Sequence, residues 1–208
     1  MQTTYIETQT VSFQDFKNQI LADYKLGRIS REMSYMARRE VLTGKAKFGI
    51  VGDGKELPQL AMAKVFRNGD FRSGYYRDQT FALAVGALSV ESFFAQLYAD
   101  TSVEREPASA GRQMNGHFAT RSLNEDGTWK DLTQIKNISS DISPTAGQMP
   151  RLLGLAQASK VYKSVKFNGS EKFSNNGNEV AFGTIGDASS AEGHFWETIN
   201  AAGVLQVP

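Results

Sequence analysis

The run Val180-Ala181-Phe182-Gly183-Thr184-Ile185-Gly186-Asp187-Ala188-Ser189-Ser190-Ala191-Glu192-Gly193-His194-Phe195-Trp196-Glu197 constrains the fold more than any other stretch of the chain. Its Val180–Ile185 part is short, mostly apolar and bounded by polar sequence, the pattern of a buried strand. Gly186 then allows a tight turn. Ser189, Ser190 and Ala191 are small enough for a ligand to approach the backbone, and either serine can cap a helix running from about Ala191 to Leu205. A strand that ends in a glycine turn and opens a helix makes an anion site, because free N–H groups and the positive end of the helix dipole converge where a phosphate would sit. Asp187 sets this site apart from a bare phosphate loop. A carboxylate beside a phosphate repels it unless a cation lies between them. Asp187 therefore reads as a ligand for a hard divalent ion, Mg²⁺ first, bridging protein and phosphate groups.

Composition narrows the classes open to such a chain. At 208 residues it can bury one substantial core, so one domain is the default. The formal charge of +1, with acids and bases mixed, leaves no basic stripe for nucleic acid and no polybasic patch for a membrane. The absence of cysteine excludes a disulfide scaffold and thiol catalysis, and fits a reducing compartment. No apolar run approaches the roughly 20 residues that a membrane span needs. Met1-Gln2-Thr3-Thr4-Tyr5 has neither the basic flank nor the apolar stretch of a signal peptide. The expectation is a soluble cytoplasmic protein with no nucleic-acid and no membrane partner.

Residues 1–11 are polar and expected to be poorly ordered, as termini often are. From Ser12, a candidate N-cap, Phe13, Phe16, Ile20 and Tyr24 recur at helical spacing. Gly27 is expected to break that helix, and a second to run from about Ser30 to Leu42. The second carries Met33, Met36 and Ala37 on one side and Arg31, Arg38 and Arg39 on a solvated face. Gly49-Ile50-Val51-Gly52-Asp53-Gly54-Lys55 has the spacing of a phosphate-binding loop, but Glu56 stands where Ser or Thr would hold Mg²⁺. A nucleotide-binding reading of residues 49–56 is disfavoured for that reason, and a helix from about Glu56 to Phe66 is expected instead. Asn68-Gly69-Asp70 is a turn. Arg77 has the planar fork that suits phosphate oxygens, or else pairs on the surface with Asp78 or Glu91. A helix to about Val85 ends at Gly86, and Ser89 caps the next. That helix has Val90, Phe93, Phe94, Leu97 and Tyr98 as its core stripe. Residues 100–133 carry loop and turn signals. A helix of small and apolar residues spans about Pro150 to Tyr162, and residues 167–178 form a polar surface connection. No internal repeat is visible.

Gly186-Asp187-Ala188-Ser189-Ser190-Ala191-Glu192-Gly193 resembles the start of the thiamine diphosphate motif in the alpha part of 2-oxo acid dehydrogenases. These are the decarboxylating first components of the pyruvate and branched-chain 2-oxo acid dehydrogenase complexes. The family form is Gly-Asp-Gly or Gly-Glu-Gly, so Ala188 departs at the third position. The second half of the motif, an Asn-Asn-type pair on the next strand, would fall beyond Pro208. Asn175-Asn176 precedes Gly186 and cannot serve. Tyr76-Arg77-Asp78 resembles the family's strand ending in Tyr-Arg-Asp or Tyr-Arg-Glu, which implies that Tyr76 and Arg77 line the cofactor channel with the guanidinium on the diphosphate. Gly111-Arg112-Gln113-Met114-Asn115-Gly116-His117-Phe118 is similar to a loop whose histidine serves the substrate or an incoming lipoyl group. The resemblance makes His117 the catalytic candidate, a role that suits proton transfer near neutral pH. His194 is expected to be exposed or packing. Ser143-Pro144-Thr145-Ala146-Gly147-Gln148-Met149-Pro150 resembles the family's Ser-Pro-x-Ala-x-Gln-x-Pro, a cofactor cradle at a helix start, with Ser143, Thr145 and Gln148 matching in position. Gly147 stands where potassium-binding members place a hydroxyl residue. Asp141 has no role at this level.

The resemblance implies an α/β thiamine diphosphate-binding fold, with a mostly parallel sheet flanked by helices and truncated before completion. It divides the chain into an N-terminal helical segment, 1–43, and a partial thiamine diphosphate-binding domain, 44–208. Tyr76, Arg77, Ser143, Thr145, Gly186, Asp187, Ala188 and Ser189 would bind the cofactor, with Asp187 also on the metal, so that thiamine diphosphate and Mg²⁺ are the expected cofactors. The implied reaction is oxidative decarboxylation of a 2-oxo acid, pyruvate or branched-chain, with transfer of the acyl group to a lipoyl arm. Partners would be the beta part of the same enzyme, a lipoyl-bearing acyltransferase and the 2-oxo acid. The spelling Gly-His-Phe-Ala-Thr before an Asn-Glu-Asp-Gly turn looks most like bacterial enzymes with alpha and beta parts fused. In the family the acid that activates the aminopyrimidine lies on the beta part. The alternative expectation is therefore a truncated or split, non-catalytic piece acting as a folding or assembly module.

Overall fold

The computed structural model describes residues 11–208, so the expectation for residues 1–10 lies outside the described residues. The chain opens with helix α1, Phe13–Leu42, whose Ser12 N-cap accepts from the Asp15 amide at 3.1 Å. The helix runs through Gly27 without the expected break. At that position it lies against α2, Glu56–Val65, where a Cβ would sit 3.6 Å from Leu60 Cδ1 and 3.7 Å from Glu56 Cβ. One interior glycine costs only about 1 kcal/mol, which long flanking helix and this contact offset. The two halves of α1 differ. Met33 and Ala37 pack with Ala46, Ala82, Phe93, Leu97 and Phe118 in the main core. The expected N-terminal stripe is not covered: Phe13 is 79% and Tyr24 68% exposed.

The arginines of α1 do more than face solvent. Arg31 makes a two-pronged pair with Glu56, at 2.6 and 2.7 Å, and Arg38 reaches Asp53 at 2.9 Å. Both fasten α1 to the 53–56 segment. Glu56, which spoils the phosphate-loop pattern, is thus a tie between helices; its hydrogen bonds from Arg31 hold its carboxyl down at about 2.

Three short strands follow the expected parallel pattern. β1, Phe71–Ser73, lies between β2, Asn137–Ile138, and β3, Ala181–Gly183, and pairs in parallel with both. Parallel neighbours need crossovers. From β1 the chain passes through α3, Gln79–Ala84, and α4, Val90–Leu97, to β2. From β2 it returns through α5, Gln148–Ser164, to β3, and ends in α6, Gly193–Leu205. Ser89 caps α4 in a reciprocal pair with Ser92, both bonds 3.0 Å. Of the α4 stripe, Phe93 and Leu97 are buried, while Val90 and Tyr98 stay largely exposed. A second core, Phe66, Phe81 and Ile138, sits on the sheet, with Phe66 edge-on to Phe81 and Phe182 at 5.2 Å each. Among the described residues no helix is long and apolar enough to cross a membrane.

Candidate functional site

The three motif segments leave the carboxyl ends of three adjacent strands. Gly74–Arg77 follows β1, Ser139–Ser143 follows β2, and Thr184–Ser189 follows β3. In the order β2-β1-β3 the connection from β1 runs to one side and the chain later crosses back to the other. The crevice between the ends of β1 and β3 is therefore a switch point, where open parallel sheets bind ligands.

The end of β1 is built on Asp78. Its Oδ2 accepts from Arg72 Nη2 at 2.7 Å, from the Tyr75 amide at 3.1 Å and from the Thr184 hydroxyl. Thr184 Oγ1 in turn accepts from the Tyr75 amide at 3.0 Å, so the ends of β1 and β3 are tied together. Asp78 is thus spent on Arg72, and Arg77 is left free of it. The Arg77 guanidinium lies over the Tyr75 and Tyr76 rings, 5.6 and 5.4 Å from their centroids. Its Nη1 donates to the Tyr75 hydroxyl at 3.0 Å, and that hydroxyl donates to Tyr76 at 2.9 Å. Burial and the Tyr76 hydroxyl hold the Tyr75 phenol above its ordinary value, so it remains a donor. Among the described residues no carboxylate lies within ion-pair distance of Arg77.

Tyr76, Arg77 and Ser143 line one cleft of about 630 Å³, together with Arg38, Lys55, Met114 and the Phe48–Val51 segment. Two glycines are there because backbones meet. A Cβ on Gly52 would stand 2.3 Å from the Arg77 carbonyl, and one on Gly116 2.9 Å from that of Tyr76. The 114–118 loop is held by Gln96, whose Oε1 accepts from the Gly116 and His117 amides at 2.7 and 3.1 Å. His117 is only 5% exposed and sits behind Ser143 rather than on the open cleft. Its Nδ1 is 2.8 Å from the Met114 carbonyl, an acceptor only, so Nδ1 carries the proton. Nε2 of the neutral ring then accepts from the Ser143 hydroxyl at 3.1 Å.

The β3 turn is arranged differently from expectation. A short 3₁₀ turn, Ala188–Ala191, intervenes, and α6 begins at Gly193 behind Glu192, with neither serine capping it. Ser190 instead donates to the Asp187 carbonyl at 2.6 Å, and Ser189 is buried. Gly186 does not have a left-handed backbone; a Cβ there would lie 3.2 Å from the Tyr75 hydroxyl, so a side chain would press that phenol back by a few tenths of an ångström. Ala188, the departure from the family spelling, is exposed within the 3₁₀ turn, where a methyl is accommodated. Asp187 is also exposed, and neither it nor Thr145 is among the residues lining the cleft. The Thr145 carbonyl accepts from His194 Nε2 at 3.0 Å, which joins the 143–147 segment to the start of α6. A Cβ on Gly147 would lie 2.7 Å from Ile142 Cδ1, so a hydroxyl residue has no room there as Ile142 now stands.

The sequence reading missed Tyr75, Asp78, Thr184 and Arg72 as parts of this assembly. In the sequence Asp78 is read as the third residue of the Tyr76-Arg77-Asp78 spelling and as a surface partner of Arg77. Its partner in the fold, Arg72, stands between Phe71 and Ser73 in β1, and nothing in that local sequence marks the guanidinium as buried.

A family model described as Dehydrogenase E1 component matches residues 24–208. The chain is 31% identical over 168 residues to the 2-oxoisovalerate dehydrogenase subunit alpha of Bacillus subtilis (strain 168), covering 80% of this chain and 42% of that protein. The chain thus spans about two fifths of the length of that curated relative. Motifs gathered at three strand ends, a family match over most of the chain and this relative agree: the chain belongs to the dehydrogenase E1 component family.

Proposed function

We propose that the chain forms the diphosphate-binding portion of the alpha part of a cytoplasmic 2-oxo acid dehydrogenase. That enzyme decarboxylates a 2-oxo acid oxidatively and passes the acyl group to the lipoyl arm of an acyltransferase, with a beta part completing the site. The observation that carries the reading is the meeting of three motifs at adjacent parallel strand ends, beside a guanidinium that no described carboxylate neutralises.

The residues present fit thiamine diphosphate. Arg77 offers a planar fork to phosphate oxygens, oriented by two tyrosine rings, and Gly186 keeps side-chain bulk away from the Tyr75 hydroxyl beside it. The donor set also suits Mg²⁺ shared with a diphosphate. Asp187 is a single exposed carboxylate, and among the described residues no group of three metal-ligating side chains exists. Mg²⁺ held by one carboxylate, phosphate oxygens and water needs no more.

Bound thiamine diphosphate supplies the carbanion chemistry that side chains lack. The chain's own residues bind, orient and handle protons. Ser143 Oγ, on the cleft wall, can relay a proton between a bound reactant and His117 Nε2, taking one up from the reactant as it gives its own to Nε2 and the reverse on return, while Nδ1–H stays on the Met114 carbonyl. Phe48, Ile50, Val51 and Met114 give the cleft an apolar wall suited to a branched aliphatic side chain. Together with the name of the relative, this favours a branched 2-oxo acid over pyruvate.

Calorimetric titration of the full-length protein, with its beta part present, tests the reading. Thiamine diphosphate should bind saturably only with Mg²⁺, and Asp187→Asn should weaken binding roughly tenfold or more, about 1.4 kcal/mol, without lowering Tm. Carbon dioxide should be released faster from 2-oxoisovalerate than from pyruvate. No binding with or without Mg²⁺ would falsify the assignment.

A further inference from the structure

Asp141 takes no part in the chemistry above, yet its side chain is wholly buried. A carboxylate in such a place is costly unless it is paired and hydrogen-bonded; Oδ2 is hydrogen-bonded, while Oδ1 has an ion-pair contact without a hydrogen bond. Oδ1 lies 3.1 Å from Arg72 Nη1, and Oδ2 accepts from the Phe118 amide at 3.1 Å. Arg72 is itself fully buried on β1 and uses its other nitrogens on Asp78 and on the Tyr75 carbonyl, the latter at 2.9 Å. One guanidinium thus spans the carboxylate at the end of β1 and the carboxylate beyond the end of β2.

The position of Asp141 in the chain gives this pair its consequence. Asp141 stands two residues before Ser143, and the amide it holds is that of the residue after His117. The carboxylate therefore ties together the two segments whose side chains meet at the His117–Ser143 contact of 3.1 Å. We propose that Asp141, anchored by Arg72, is a positioning residue that sets the His117–Ser143 contact and the proton affinity of the imidazole. The proposal rests on His117 and Ser143 being site residues, as argued above.

Four charged or titratable groups face Asp141: Arg72 from β1, Asp78 from the turn after it, His117 from the 114–118 loop and Arg151 from α5. Burial pushes the Asp141 carboxyl up to about 6, against the pull of Arg72, the Phe118 amide and His117. Its charge accordingly changes in the range where imidazoles exchange protons.

Histidine C2-proton exchange read by mass spectrometry on the full-length protein tests this without depending on turnover. In Asp141→Asn, which keeps an acceptor for the Phe118 amide, the His117 midpoint should fall by about half a pH unit or more, because a facing negative charge is lost. The His194 midpoint should stay where it is. Equal His117 midpoints in variant and wild type would overturn the proposal. Should the variant not fold, the wild type decides. Backbone exchange protection of the 114–122 peptide should weaken as pH falls through about 6, since a neutral carboxyl accepts less strongly than a carboxylate. Protection independent of pH overturns the proposal equally. A shifted His117 midpoint with unchanged kcat toward the 2-oxo acid upholds the positioning and removes the catalytic reading of His117.

Discussion

Single side chains decide what the cleft can hold, and Arg77 is the clearest case. Its cation is held by a hydroxyl and two ring faces rather than by a carboxylate, which leaves most of its donors for a ligand. Lysine keeps the charge but not the fork, and it stacks less well on tyrosine. Arg77→Lys in the full-length protein is expected to weaken thiamine diphosphate binding by about tenfold, roughly 1.4 kcal/mol, while Tm stays within a degree or two; calorimetry and a thermal melt check both. Arg77 was visible in the sequence because residue type and family spelling coincide there. Asp141 was not. Nothing in Ser140-Asp141-Ile142 says that the carboxylate points inward, since an aspartate between a serine and an isoleucine is equally at home on a surface turn. Its buried charge is matched by Arg72, far away in sequence, and only the pairing of β1 with β2 brings the two together.

At the scale of elements, the ties between helices carry the stability argument. Glu56 links α1 to α2 through Arg31 and also accepts from the Gly54 amide at 3.1 Å. Its folded pKa lies below its ordinary value, so its contribution is fully present above the unfolded pKa and lost as pH falls through the folded one. Glu56→Gln should be less stable than wild type at pH 7. The gap between the two should close as pH drops from about 4.5 to about 2, followed by urea denaturation at each pH. A gap independent of pH would show that the pair contributes nothing through charge. Most element boundaries followed from local signals: Ser12 and Ser89 cap as serines do, and Gly86 ends α3. The continuity of α1 through Gly27 depends on α2 packing against that turn, and local propensity does not carry that information.

For the whole molecule, Asp78 and Arg72 are the junction through which the three strand ends share one arrangement. Asp78→Ala leaves Arg72 with a single buried carboxylate and removes the acceptor of the Thr184 hydroxyl and of the Tyr75 amide, so all three motif segments should loosen together. A loss of about 3 to 5 kcal/mol in chemical denaturation is expected, with cofactor binding falling in parallel; a loss below about 1 kcal/mol would mean that the junction is not shared. The family, the α/β class with a parallel sheet and the identity of three cleft residues, Tyr76, Arg77 and Ser143, were legible in sequence alone, whereas Arg38, Lys55 and the Phe48–Val51 wall were not. Strand, turn and helix signals are local, and the motif residues lie within a few positions of them. What the tertiary structure alone decided is how these parts bear on one another. The strand order puts β1 between β2 and β3, His117 comes to lie behind Ser143, and Asp78 turns to Arg72 instead of Arg77. Those relations join residues distant along the chain, and burying a charge is tolerated only beside the partner that the folded backbone brings to it.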